Sequence, residues 1–122
     1  MAVQSYQDLI AWQKSVDLVE EICRITKRFP QEELYGLTSQ MRRAAVSIPS
    51  NIAEGQGRGS RGEFCQFLGH AKGSLFELET QVVIASRLGY IPALENEALV
   101  ESIHEIGRIL SGLLASLDHP SH

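Results

Sequence analysis

From Phe64 onward the chain places an apolar residue at steps of four and three without a break: Phe64, Leu68, Ala71, Leu75, Leu78, Val82 and Ala85. Steps averaging three and a half residues keep one narrow stripe on an α-helix, and they would scatter over both faces of a strand. So long an apolar stripe must be covered by others like it, and the rest of the chain supplies them. Leu99, Ile103, Ile106, Leu110, Leu113 and Leu117 repeat in the same way. Two weaker stripes precede them. Leu9, Trp12, Val16, Val19 and Cys23 form one, widened by Leu18, Ile22 and Ile25, and Leu34, Leu37, Met41, Ala44 and Ile48 form the other.

Punctuation between the stripes agrees with helices. Phe29-Pro30 closes the first, because proline disfavours helical geometry in the residue before it. Ser60-Arg-Gly-Glu63 reads as a capping box opening the third, Gly89 as its C-terminal stop, and Pro92 as a first-turn residue of the fourth. No stretch alternates with period two over a useful length. The chain is therefore expected to be all-α: a single antiparallel up-down four-helix bundle with left-handed packing, in one domain spanning residues 1–122. The expected helices are 6–28, 32–54, 61–88 and 92–117. Pro49 cannot donate to the Ala45 carbonyl, so the second is expected to kink or end there, with Ser47, Ser50 and Asn51 satisfying freed backbone groups.

A chain of 122 residues can bury one core. No run approaches the eighteen or so apolar residues of a membrane span, and the N-terminus lacks a basic region followed by an apolar one, so neither a span nor a signal peptide is expected. Cys23 and Cys65 have no metal-ligand spacing and read as reduced core thiols of a cytoplasmic protein.

Net charge is −4, against a protein whose whole surface grips nucleic acid, but the charge is unevenly distributed. Residues 39–72 carry Arg42, Arg43, Arg58, Arg61 and Lys72 against Glu54 and Glu63, a net of +3, while the remainder carries −7. Two readings stand side by side. Arginine planes suit phosphate contacts, so the five cations are candidate nucleic-acid-binding residues. Alternatively, the stretch is an ordinary helix exit in which Glu54 and Arg58 form an i, i+4 pair.

Chemistry beyond binding has little support. Glu101-Ser-Ile-His104 has the spacing of a di-iron ligand pair, but such sites need a second copy and two further glutamates. His70 reads as a helix-surface residue, and His119 and His122 belong to a C-terminal tail expected to be mobile. Gly55-Gln-Gly-Arg-Gly-Ser60 lacks the Lys and the preceding strand of a phosphate loop. No enzyme activity, cofactor or metal is expected. Phe76 and Val83 lie seven residues apart and off the main stripe, with Gly69 and Gly73 near the same side, and they are candidate oligomer-interface residues.

The run Arg42-Arg-Ala-Ala-Val-Ser-Ile-Pro-Ser-Asn-Ile-Ala-Glu-Gly55 closely resembles the signature of the four-helix bundle proteins encoded in intervening sequences of bacterial 23S ribosomal RNA genes. Tyr6-Gln-Asp-Leu-Ile-Ala-Trp-Gln-Lys14, Glu63-Phe64, Gly73-Ser-Leu-Phe-Glu-Leu-Glu-Thr80 and Leu88-Gly-Tyr-Ile91 match as well, and the fourth helix matches in character only. The resemblance implies a small cytoplasmic bundle that assembles as a ring-like homopentamer, in a family most of whose members have no established activity. A related group, the accessory proteins of diversity-generating retroelements, binds nucleic acid and partners a reverse transcriptase. Those relatives are basic, and this chain is acidic. The expectation is a non-enzymatic oligomer associated with RNA or DNA; the alternative is a protein-interaction scaffold that binds no nucleic acid.

Overall fold

The computed structural model describes residues 5–118. His119 and His122, with the first four residues of the N-terminal reading, lie outside the described residues. Four α-helices make up the bundle: α1 (Ile10–Thr26), α2 (Leu37–Gly57), α3 (Arg61–Arg87) and α4 (Ala93–Asp118). There is no strand among the described residues. Each helix packs on two neighbours, α1 on α2 and α4 and α3 on α2 and α4, while the diagonal pairs stay apart. That is the square, up-down arrangement that short connections impose on four amphipathic helices.

Every residue of the α3 stripe from Leu68 to Ala85 is buried, as are Leu99, Ile103, Ile106 and Leu110 of α4. Phe64, Leu113 and Leu117 pack half-buried at one end of that core. Ser60 caps α3, accepting the Glu63 N–H at 3.1 Å, an interaction worth about 1 kcal/mol. At the other end Gly89 takes φ +81°, and the Tyr90 N–H reaches back to the Ala85 carbonyl at 2.9 Å. A side chain would strain at that φ, which is why glycine stands there.

α1 departs from the expected phase. Its buried face is Ala11, Ser15, Leu18, Ile22, Ile25 and Thr26, and Leu9, Trp12 and Val19 are only half-buried. Two polar residues hold core positions because each hydroxyl is satisfied within the helix. Ser15 donates to the Ala11 carbonyl at 2.6 Å and Thr26 to that of Ile22 at 2.7 Å. The start of α1 also differs. A one-turn 3-10 helix, Tyr6–Asp8, is capped by Ser5, and extended Leu9 separates it from α1.

The expected second helix is displaced at both ends. Gln31–Glu33 forms an isolated 3-10 turn, and α2 begins only after Gly36, whose φ −113° and ψ −110° are not helical. Leu34 therefore leaves the stripe and stays exposed. Since Gly36 has no side chain to cap α2, the Glu33 carboxylate accepts the Leu37 N–H at 3.4 Å.

At the far end, Pro49 does not end the helix, and α2 continues unbroken to Gly57. An interior proline costs about 3 kcal/mol. Ile48 and Ile52 beside it are fully buried, each worth about 1.5–3 kcal/mol, so packing outweighs the lost hydrogen bond. Nearby carbonyls find side-chain donors: Ser50 donates to Val46 and Asn51 to Ser47, both at 2.8 Å.

Candidate nucleic-acid interface

Neighbouring residues on a helix point about 100° apart, so Arg42 and Arg43 cannot share a face. Arg42 turns toward α1, where its Nε donates to Thr26 Oγ1 at 2.9 Å. Arg43 lies exposed beside the α2–α3 groove, with Gln40, Ser47, Ser74 and Glu77 around it. Small residues bring the two helices together there, and the Ser47 and Ser74 hydroxyls bond at 2.8 Å. A close approach comes at Gly55, where a Cβ would sit 2.6 Å from Phe67 Cβ.

Arg58 lies about 24 Å from Arg42 along α2, sixteen residues on. Its guanidinium bonds Glu54 at 2.7 Å and Glu63 at 3.4 Å, and it stands 5.0 Å above the Phe67 ring. These carboxylates, the Glu54 hydrogen bond foremost, hold the guanidinium even more firmly protonated than usual. Arg61 opens α3, exposed beside an apolar groove lined by Leu9, Phe64, Leu113 and Leu117. Lys72 lies midway along α3 with its ammonium 5.9 Å from the Phe76 ring.

The five cations thus occupy separate positions on two helices. Arg58 is neutralised locally, Arg42 faces α1, and Arg43, Arg61 and Lys72 form no ion pair among the described residues. Glu54, at i, i+4 from Arg58, was visible in the sequence as a partner; Glu63 and Thr26 were not, because the turn between α2 and α3 brings Glu63 to Arg58 and the packing of α1 on α2 brings Thr26 to Arg42.

Phe76 and Val83 both stand exposed on α3. Ile84 and Leu88 extend that apolar surface, 45% and 55% exposed. Eight and twelve residues on from Phe76, they lie about 80° and 120° round the helix axis from it, so they flank the Phe76/Val83 line, with Leu88 at the C-cap of α3. At Gly69 and Gly73 a Cβ would meet nothing within 4 Å, so the helix backbone is open there.

Several titratable groups elsewhere are paired across the bundle. His104 bonds Glu79 of α3 at 2.7 Å rather than acting with Glu101. His70 is exposed with its ring edge-on to Phe67. Lys14 meets Glu105 at 3.3 Å, and Arg28 grips Glu95 with a two-point contact, joining α1 and its exit to α4. That guanidinium holds the Glu95 carboxyl below its ordinary range, and Arg24 does the same to Glu21. The Tyr90 hydroxyl donates to Glu33 at 2.9 Å, which raises its pKa. Cys23 and Cys65 form no disulfide with each other, and both are half-buried. No group of three or more His, Cys, Asp or Glu is placed to hold a metal ion, and no helix is long and apolar enough to cross a membrane, among the described residues.

The family model described as 23S rRNA-intervening sequence protein matches residues 7–112. A solved structure from Bacteroides thetaiotaomicron VPI-5482, a protein of unknown function from the S23 ribosomal protein family, has a TM-score of 0.80. The match covers 87% of this chain and 96% of that one at 24% identity, a likeness of fold. No curated protein matches the chain.

Proposed function

Since the chain belongs to the 23S rRNA-intervening sequence protein family, we propose that it is a non-enzymatic cytoplasmic bundle that works as a self-assembled ring. One observation carries this reading: the outer side of α3 keeps Phe76 and Val83 in water, flanked by exposed Ile84, while its neighbouring glycines leave the backbone approachable. A large aromatic in water is uneconomical unless a second surface covers it, and full burial of such a side chain is worth about 1.5–3 kcal/mol. The resemblance to the family implies a homopentamer.

In such a ring, Arg43, Arg61 and Lys72 recur in every subunit. They are the cations best placed to contact RNA or DNA phosphates, a role that the resemblance to the accessory proteins of diversity-generating retroelements would imply, and repetition compensates for a modest charge per subunit. The pairing of Arg58 with Glu54 and Glu63 favours the second reading, a protein scaffold whose arginines serve only structure.

Sedimentation velocity tests assembly. The native chain is expected to run well above 13.5 kDa at micromolar concentration and Phe76→Glu near it; a native monomer removes the proposal. Co-purification with and without nuclease separates the two readings. Nucleic acid retained at low salt, released by salt, and lost in Arg43→Gln/Lys72→Gln supports the first, and its absence leaves the scaffold.

A further inference from the structure

The cleft where α1 leaves the bundle and α2 begins is built differently from the rest of the surface. It encloses about 360 Å³, at the small end of the range for ligand sites. Its polar lining is Arg42, Lys27, Thr26, Thr38 and Gln31, and its apolar lining is Phe29, Pro30 and Leu34. No carboxylate among the described residues lines it, in a chain whose net charge is −4.

Arg42 is the unusual member. Arg24, Arg28 and Arg58 each hold a glutamate. Arg42 is half-buried, yet among the described residues it has no carboxylate within 4 Å and engages only Thr26 Oγ1, through Nε. Thr26 is itself 2% exposed and tied to the Ile22 carbonyl, so this contact is a rigid bracket. It fixes the plane of the guanidinium and leaves the two terminal nitrogens without a protein acceptor among the described residues.

A partly desolvated cation without a counter-charge is costly, and a neutral side chain could satisfy Thr26 as well. The arrangement makes physical sense if an anion completes it. A planar guanidinium fork suits two oxygens of one oxyanion, and the Lys27 ammonium adds a point charge nearby. Two cations facing hydroxyl and amide groups favour a dianion over a monoanion. The apolar lining suits a small apolar body attached to it.

We propose that this cleft binds a compact phosphate monoester of a small molecule, with Arg42 as the fork, Lys27 as the second charge and Phe29, Pro30 and Leu34 against its apolar part. The site does not rest on the nucleic-acid reading, because Arg42 and Arg43 point to different sides of α2.

Titration of the full chain with phenyl phosphate, followed by amide chemical shifts, tests it. Saturable shifts are expected around Thr26, Leu34 and Thr38, with weaker binding of inorganic phosphate and of benzoate. Arg42→Gln should weaken phenyl phosphate by about tenfold or more, the effect of losing a charged hydrogen bond, and Lys27→Gln by a smaller factor. Arg43→Gln should leave it unchanged. Non-saturating shifts, shifts centred elsewhere, or equal affinity in Arg42→Gln would overturn the proposal. If Arg42→Gln does not fold, Lys27→Gln decides, since Lys27 is exposed: unchanged affinity there also overturns it.

Discussion

Gly55 is where a single atom matters most. A Cβ there would lie 2.6 Å from Phe67 Cβ and 3.2 Å from the Phe64 ring, and a Cβ on a helix cannot swing away. Gly55→Ala should therefore force α2 and α3 apart along their most extensive contact. The expected loss is about 1–3 kcal/mol, despite the better helix propensity of alanine. Urea unfolding would show it as a lower midpoint with an unchanged slope. Gly57→Ala is the matched control. It lies two residues further along the same helix with nothing within 4 Å of its Cβ, and should be neutral or slightly stabilising. Equal losses in both variants would mean that backbone freedom, not the close approach, fixes glycine at 55.

Within α3, the same logic separates a free helix face from a covered one. Gly73 is an interior helical glycine in open space, so in an isolated bundle Gly73→Ala should stabilise by up to about 1 kcal/mol. If the α3 face meets another subunit closely, the added methyl groups obstruct it. The expected outcome is a chain more resistant to unfolding but assembling at higher concentration, read by sedimentation across a dilution series. Stabilisation without any change in assembly would point away from that face.

The α3 and α4 stripes were legible in the sequence because apolar residues hold every heptad position along them, and such an unbroken heptad has one reading. α1 was misphased because Ser15 and Thr26 are buried with hydroxyls bonded to their own helix, which no polarity scale anticipates. The path of α2 through Pro49 depended on packing of Ile48 and Ile52 against the other helices. The cations themselves were legible, as was Glu54 as the partner of Arg58, but partners from other elements were not. Thr26 lies sixteen residues from Arg42, and only the pairing of α1 with α2 brings the two within 2.9 Å.

For the molecule as a whole, two ion pairs set a pH dependence, one joining the exit of α1 to α4 and one within α1. Glu95 is held below its ordinary pKa by the hydrogen bond from Arg28, and Glu21 by that from Arg24. A carboxyl whose folded pKa lies below its unfolded one binds fewer protons when folded. Its contribution is present above the unfolded value, near 4.5, and is lost as pH falls through the folded one. Stability should therefore be level through neutrality with respect to these two groups and decline below about pH 4.5. Both pairs are substantially exposed, so the effect is small and screened by salt. Glu21→Gln/Glu95→Gln should be slightly less stable than the native chain at pH 7 and should converge with it near pH 3. Urea midpoints measured from pH 3 to 8 at low salt would show the two curves meeting on the acid side, and 1 M salt should narrow their gap at neutrality. Curves that stay parallel down to pH 3 would assign the difference to packing of the two side chains rather than to their charge.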